Sequence, residues 1–160
     1  MSDPIQDNEL IDGPLVQMLQ RLDDKLEAHI QTAVDITSPM ERRIPSYPLV
    51  ALQQFARNAV MHRVYEHTNA PIRFTWFIDR IEISSPGGPY GMVTKQNFGK
   101  PGYRDYRNPH LAEAMRTLGF VQKFGVGIQT AQKALLVNGN PPAEFSVEEN
   151  LIIIRILGKE

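Results

Sequence analysis

The run Leu151-Ile-Ile-Ile-Arg-Ile-Leu157 limits the possible folds more than any other segment. Successive residues of a strand point to opposite faces, and both sets here are largely apolar, so the run belongs at the centre of a sheet. Partners for it are easily found. Glu144–Glu148 reads as a strand, divided from the last one by Glu149-Asn150. Upstream, Ile72, Phe74, Trp76 and Ile78 alternate, Asp79-Arg80 supplies a short turn, and Ile81 and Ile83 alternate again. That pattern is a β-hairpin.

Helical spacing accounts for most of the remainder. Leu15, Leu19, Leu22, Leu26, Ile30 and Ala33 predict one amphipathic helix over Pro14–Val34, with Asp35–Pro45 as a connector. Glu41, Arg42 and Arg43 read as a solvated run within it. Ser46 can N-cap a second helix whose buried stripe is Leu49, Leu52, Phe55, Ala56, Ala59 and Val60, with Gln53 and Arg57 facing away. Asn108-Pro109 starts a third, with Leu111, Met115 and Leu118 inward and Gly119 as its stop. Gly125-Val126-Gly127 opens a fourth, with Ile128, Ala131 and Leu135 inward. The order α, α, β, β, long loop, α, α, β, β implies an α+β two-layer sandwich, its mostly antiparallel mixed sheet covered by helices on one face. The expected organisation is a flexible segment over residues 1–13 and a single domain over 14–160.

Composition removes several function classes. The 160 residues carry a formal net charge of −1, so no global field draws the chain to nucleic acid or anionic membrane. The absence of cysteine excludes disulfides, thiolate zinc sites and a cysteine nucleophile. No apolar run approaches spanning length, and Met1–Glu9 has no signal-peptide core, so a cytoplasmic protein is expected.

Two features point to a binding site. Gln54, Asn58 and His62 recur every fourth residue beside the stripe of the second helix, which aligns them along the edge between core and solvent. Such a row can line a cleft, or simply hydrogen-bond along the helix edge. Neither a second histidine nor a glutamate stands at zinc-binding spacing from His62. Pro86–Pro109 contains five glycines and four prolines with few periodic apolar residues, and a segment of that kind is usually functional or mobile. A lid-like loop is expected over about residues 86–108, where Lys95, Lys100, Arg104 and Arg107 can supply charge and Tyr103 and Tyr106 can stack on bases, or all of them simply belong to a solvated loop.

Several motifs in order carry a family resemblance. Ile44-Pro45-Ser46-Tyr47-Pro48 leads into the helix with Asn58-Ala59 and His62-Arg63. Asp79-Arg80-Ile81-Glu82-Ile83 runs into Ser85-Pro86-Gly87-Gly88; Arg107-Asn108-Pro109 precedes Leu111-Ala112-Glu113. Gly119 is followed by Lys123-Phe124-Gly125-Val126-Gly127-Ile128. In this series the chain resembles a divergent GHKL-type (Bergerat) ATP-binding domain, of the branch named for RecG-related ATP-dependent DNA helicases. In many relatives that domain follows an AlbA-like module of transcriptional regulators.

The resemblance implies ATP and Mg²⁺ as ligands. Asn58 matches the metal-binding asparagine, while Gln54 stands where active relatives carry a glutamate base. An amide cannot accept a proton at useful pH, so general-base catalysis at this position is not expected. Ser85 stands where relatives use an aspartate for the adenine amino group, and Gly87 and Gly88 keep the turn beside it. Those glycines can equally serve only to shape a hairpin exit. Lys123, Gly125 and Gly127 match the hinge over the phosphates, where a helix N-terminus favours an anion. His62 is expected to orient neighbours or touch the lid. The helicase name does not transfer, because no G-x-x-x-x-G-K-[ST] loop occurs.

The leading expectation is thus a degenerate nucleotide-binding regulatory module without efficient hydrolysis. A non-binding interaction or dimerisation domain and an ATPase with another base, His62 or Asp105, are the alternatives. A purine nucleotide and a second copy of the chain are the expected partners. Nucleic acid would be reached only indirectly, through an AlbA-like module that is not among these residues.

Overall fold

A computed structural model describes residues 11, 13–30, 32–35, 42–121 and 126–159. In chain order the elements are α1 (Leu15–His29), β1 (Thr32–Asp35), β2 (Arg42–Pro45), α2 (Leu49–His62), β3 (Arg73–Trp76) and β4 (Arg80–Pro86). They are followed by α3 (Pro109–Thr117), α4 (Gly127–Asn138), β5 (Glu144–Val147) and β6 (Leu151–Leu157). Strands β3-β4-β6-β5 form a four-stranded sheet in that order, every pairing antiparallel, with β6 inside as its double-faced apolar pattern requires. This is the α+β two-layer arrangement expected from the sequence.

Register explains which face is covered. Ile81, Ile83 and Ser85 of β4 pair with Ile156, Ile154 and Ile152 of β6, and directly opposed residues share a face. All six are buried, and the five isoleucines join Leu52, Phe55, Ala131 and Leu135 of α2 and α4 in the main core. The opposite face carries a charged cluster. There Glu82 Oε1 accepts bonds from Arg80 Nε (3.0 Å) and Arg155 Nε (3.1 Å), and Arg155 also pairs with Glu144 at 3.3 Å. Leu151, Ile153 and Leu157 on that side remain partly exposed. A smaller core joins Leu19 of α1, Val60 and Met61 of α2, and Ala112 and Met115 of α3.

Four local expectations need correction. Helix α1 ends at His29, and residues Thr32–Asp35 pair antiparallel with Arg42–Pro45, placing a hairpin where a helix end and a connector were expected. Ile30, Thr32 and Val34 alternate β-branched side chains there, a strand preference that Ala33 in helical register disguised. Helix α2 starts after Pro48, not Ser46, and no side chain caps it. Leu118 is 50% exposed, because α3 ends at Thr117 and turns through Gly119 at φ 83°, leaving Ala112 and Met115 as its buried contacts. Arg57 does not face away: its guanidinium reaches Asp23 of α1 at 2.8 Å.

The long segment after β4 is not structureless. Thr94 N–H donates to Asn97 Oδ1 (2.6 Å), Asn97 Nδ2 donates to Met92 O (3.0 Å), and Phe98 N–H closes a turn on Thr94 O (2.9 Å). Asp105 then fastens the two limbs of the loop. Its Oδ2 accepts from Met92 N at 3.0 Å and its Oδ1 from Tyr106 N at 2.9 Å.

Candidate nucleotide site

The polar row on α2 forms one wall of a pocket. Gln54, Asn58 and His62 all line it, one of the two outcomes the four-residue repeat allows, together with Arg57 and Met61. The loop supplies the opposite wall through Gly88, Tyr90, Phe98, Lys100, Tyr103 and Arg104, and the start of α4 closes one end with Gly127, Ile128 and Gln129. The cavity measures about 900 Å³ including its solvent-open mouth.

Each wall is held by identifiable contacts. A Cβ on Gly127 would lie 3.2 Å from Gln54 Oε1, so glycine lets the α4 N-terminus approach α2 closely. Gln129 Nε2 donates to Gly99 O (2.9 Å), and the Phe98 ring meets Phe145 edge-on at 5.3 Å, which ties the loop to α4 and β5. Arg107 donates to Gly88 O at 3.1 Å and lies 4.9 Å over the Tyr90 ring. Asn108 Nδ2 donates to Met61 O (3.0 Å) and Arg63 O (2.7 Å), so the residue expected only to start α3 also caps the end of α2.

The amides on α2 are available. Among the described residues neither Asn58 nor Gln54 has a side-chain hydrogen-bond partner, although both stand in the pocket wall. The two are therefore not the hydrogen-bonded pair that a purely structural role would suggest. His62 stacks on Tyr106, with ring centroids 5.6 Å apart and planes inclined by 19°. Burial, helped by the charge of Arg107, pushes its pKa down to about 4, so the ring is neutral at pH 7. A histidine so depressed is a weak proton acceptor, and both oxygens of Asp105 hold loop amides.

Other expected site residues lie elsewhere. The Ser85 hydroxyl donates to Ala59 O at 3.3 Å and is buried under α2, outside the pocket wall. Strand alternation explains this, since Ser85 shares its face with Ile81 and Ile83. Gly87 packs on Val64, and its N–H donates to Asn150 O at 2.8 Å. At Gly88 an added Cβ would stand 2.0 Å from Glu149 O. Both glycines permit close contact with neighbouring backbone or side chain, and of the two only Gly88 borders the pocket. Lys100 and Arg104 line it, whereas Lys95 and Arg107 do not. Lys123 and Gly125 lie outside the described residues. Arg57 is the contributor that sequence reasoning missed, although its position next to Asn58 was a usable signal.

Among the described residues no cluster of three or more His, Cys, Asp or Glu side chains can hold an ion. The Asn58 amide oxygen fits as one ligand for Mg²⁺, which binds through few protein oxygens and fills its shell from phosphates and water.

The fold is a two-layer α+β sandwich with a cleft between helix and loop. The family model described as "Putative ATP-dependent DNA helicase recG C-terminal" matches residues 69–156, and the chain belongs to that family. It carries an ATPase-like domain of RecG-related proteins. The crystal structure of the DIP2311 protein from Corynebacterium diphtheriae superposes with a TM-score of 0.80 at 23% identity, over 98% of this chain. The present chain spans 33% of that protein, and the likeness concerns the fold. Comparison with curated proteins gives no match. Among the described residues no helix is long and apolar enough to cross a membrane.

Proposed function

We propose that this domain is a degenerate nucleotide-binding module of GHKL type, which binds ATP or ADP with Mg²⁺ for regulation and turns it over poorly. The observation that carries this reading is the unpaired Asn58 amide in the pocket wall, on the helix against which the α4 N-terminus packs. Bound nucleotide would put its phosphates near that N-terminus, where free N–H groups and the helix dipole favour anions. Lys100 and Arg104 add positive charge at the mouth. Mg²⁺, when bound, supplies charge neutralisation between phosphate oxygens, and Asn58 would hold it on the protein side. Gln54 positions by hydrogen bonding but takes no proton, which supports binding without efficient hydrolysis.

Calorimetric titration with ATP and ADP, each with and without Mg²⁺, tests the proposal. Magnesium-dependent binding is expected, with phosphate release near background and a rise in that release for Gln54→Glu. No heat at millimolar nucleotide would end it.

A second reading, that of an interaction domain in a larger regulator, draws on Leu136 and Val137, which are 75% and 79% exposed side by side at the end of α4. Sedimentation showing only monomer at high concentration counts against its self-associating form.

A further inference from the structure

Arg57 occupies an unusual position. It stands in the pocket wall beside Asn58, yet its guanidinium points its one bond to described residues out of the pocket, from NH2 to Asp23 Oδ2 of α1 at 2.8 Å. The pair is largely shielded, with 17% of the arginine and 23% of the aspartate side chain exposed. Beneath it the Phe120 ring centroid lies 5.5 Å from Cζ. Among the described residues its Nε atom is buried without a hydrogen-bond partner. A guanidinium carries five donors in a planar fork suited to phosphate and carboxylate, and most of that capacity is unspent among the described residues. A buried donor left without an acceptor is costly, and rare unless a ligand or a second state supplies one.

We infer that Arg57 is the phosphate-recognising arginine of this pocket and that Asp23 holds it in reserve. The inference rests on the proposed nucleotide reading and adds a regulation to it. An incoming phosphate group competes with the Asp23 carboxylate for one guanidinium. Occupancy of the pocket therefore weakens the charged link between α1 and α2, while the apolar contacts of Leu19 and Leu26 keep α1 in place. Helix α1 is thereby an element whose attachment responds to ligand.

The sign of the effect separates this from a merely structural ion pair. Removing the Asp23 charge leaves the Arg57 charge without its counter-charge and strengthens anion binding; removing Arg57 weakens it. The full chain, as wild type, Asp23→Asn and Arg57→Gln, is titrated with MgATP and with inorganic pyrophosphate. Asp23→Asn is expected to tighten binding by about 3- to 10-fold and Arg57→Gln to weaken it by about 10-fold or more. The Arg57 Nε–H proton resonance of the wild type should shift on adding pyrophosphate, and Asp23→Ser should reproduce the tightening if Asn disturbs the fold. Wild-type binding that is indifferent to both substitutions, or weakened by Asp23→Asn, overturns this inference and leaves the nucleotide reading intact. Absence of wild-type binding to either probe overturns both.

Discussion

The imidazole of His62 lies against the ring of Tyr106 with 5.6 Å between centroids, joining the last turn of α2 to the loop that walls the pocket. Burial lowers the histidine pKa from 6.5 to about 4, and the neighbouring Arg107 charge contributes. Between those values the unfolded chain binds more protons than the folded one, so stability falls as pH drops from about 6.5 toward 4. The loss levels off below the folded pKa, at up to about 3 kcal/mol. Urea unfolding at pH 7, 5.5 and 4 should show it, and His62→Phe should flatten the profile. Parallel profiles for the two proteins would mean the ring is not held neutral by its surroundings.

Gly88 marks where the loop leaves the sheet. A methyl there would meet the Glu149 carbonyl oxygen at 2.0 Å, and backbone cannot yield as a flexible side chain would. Gly88→Ala should destabilise the domain by about 2 kcal/mol or more and separate the loop from the β5–β6 turn. The denaturation midpoint measures the first effect. A midpoint equal to wild type would show that the contact is easily relieved.

Asp105 closes the loop by accepting two backbone N–H groups. Asp105→Ala leaves Met92 N and Tyr106 N without these acceptors and should cost about 1–2 kcal/mol. Hydrogen exchange at both amides should accelerate at least about 10-fold, while amides in β6 change only with global stability. Unchanged protection at Met92 would remove Asp105 as the fastener.

Much of this architecture can be read from spacing alone. The four-residue repeat of Gln54, Asn58 and His62 anticipated a shared wall, and the apolar character of both faces of Leu151–Leu157 anticipated an interior strand. What escaped depended on distant partners. The hydroxyl of Ser85 is satisfied by a carbonyl 26 residues earlier, and its assignment to a ligand came from family position rather than from the parity of β4, which already pointed it at the helices. Arg57 was assigned to solvent because the helix wheel knows only one buried face. Packing of α1 across α2 gives that residue a second set of neighbours. The β1–β2 hairpin was hidden by residues compatible with both helical and alternating patterns, a choice that long-range pairing decides.

On the proposed nucleotide reading, Asn58 serves a ligand rather than the fold. Since its amide has no partner among described residues, Asn58→Ala should change unfolding free energy by no more than about 0.5 kcal/mol. Calorimetry with ATP in the presence and absence of Mg²⁺, on the wild type and this variant, is the most direct measurement. Binding that depends on Mg²⁺ in the wild type and loses that dependence in an equally stable Asn58→Ala protein is the expected result. Identical heats from the two proteins, or none from either, would contradict the assignment.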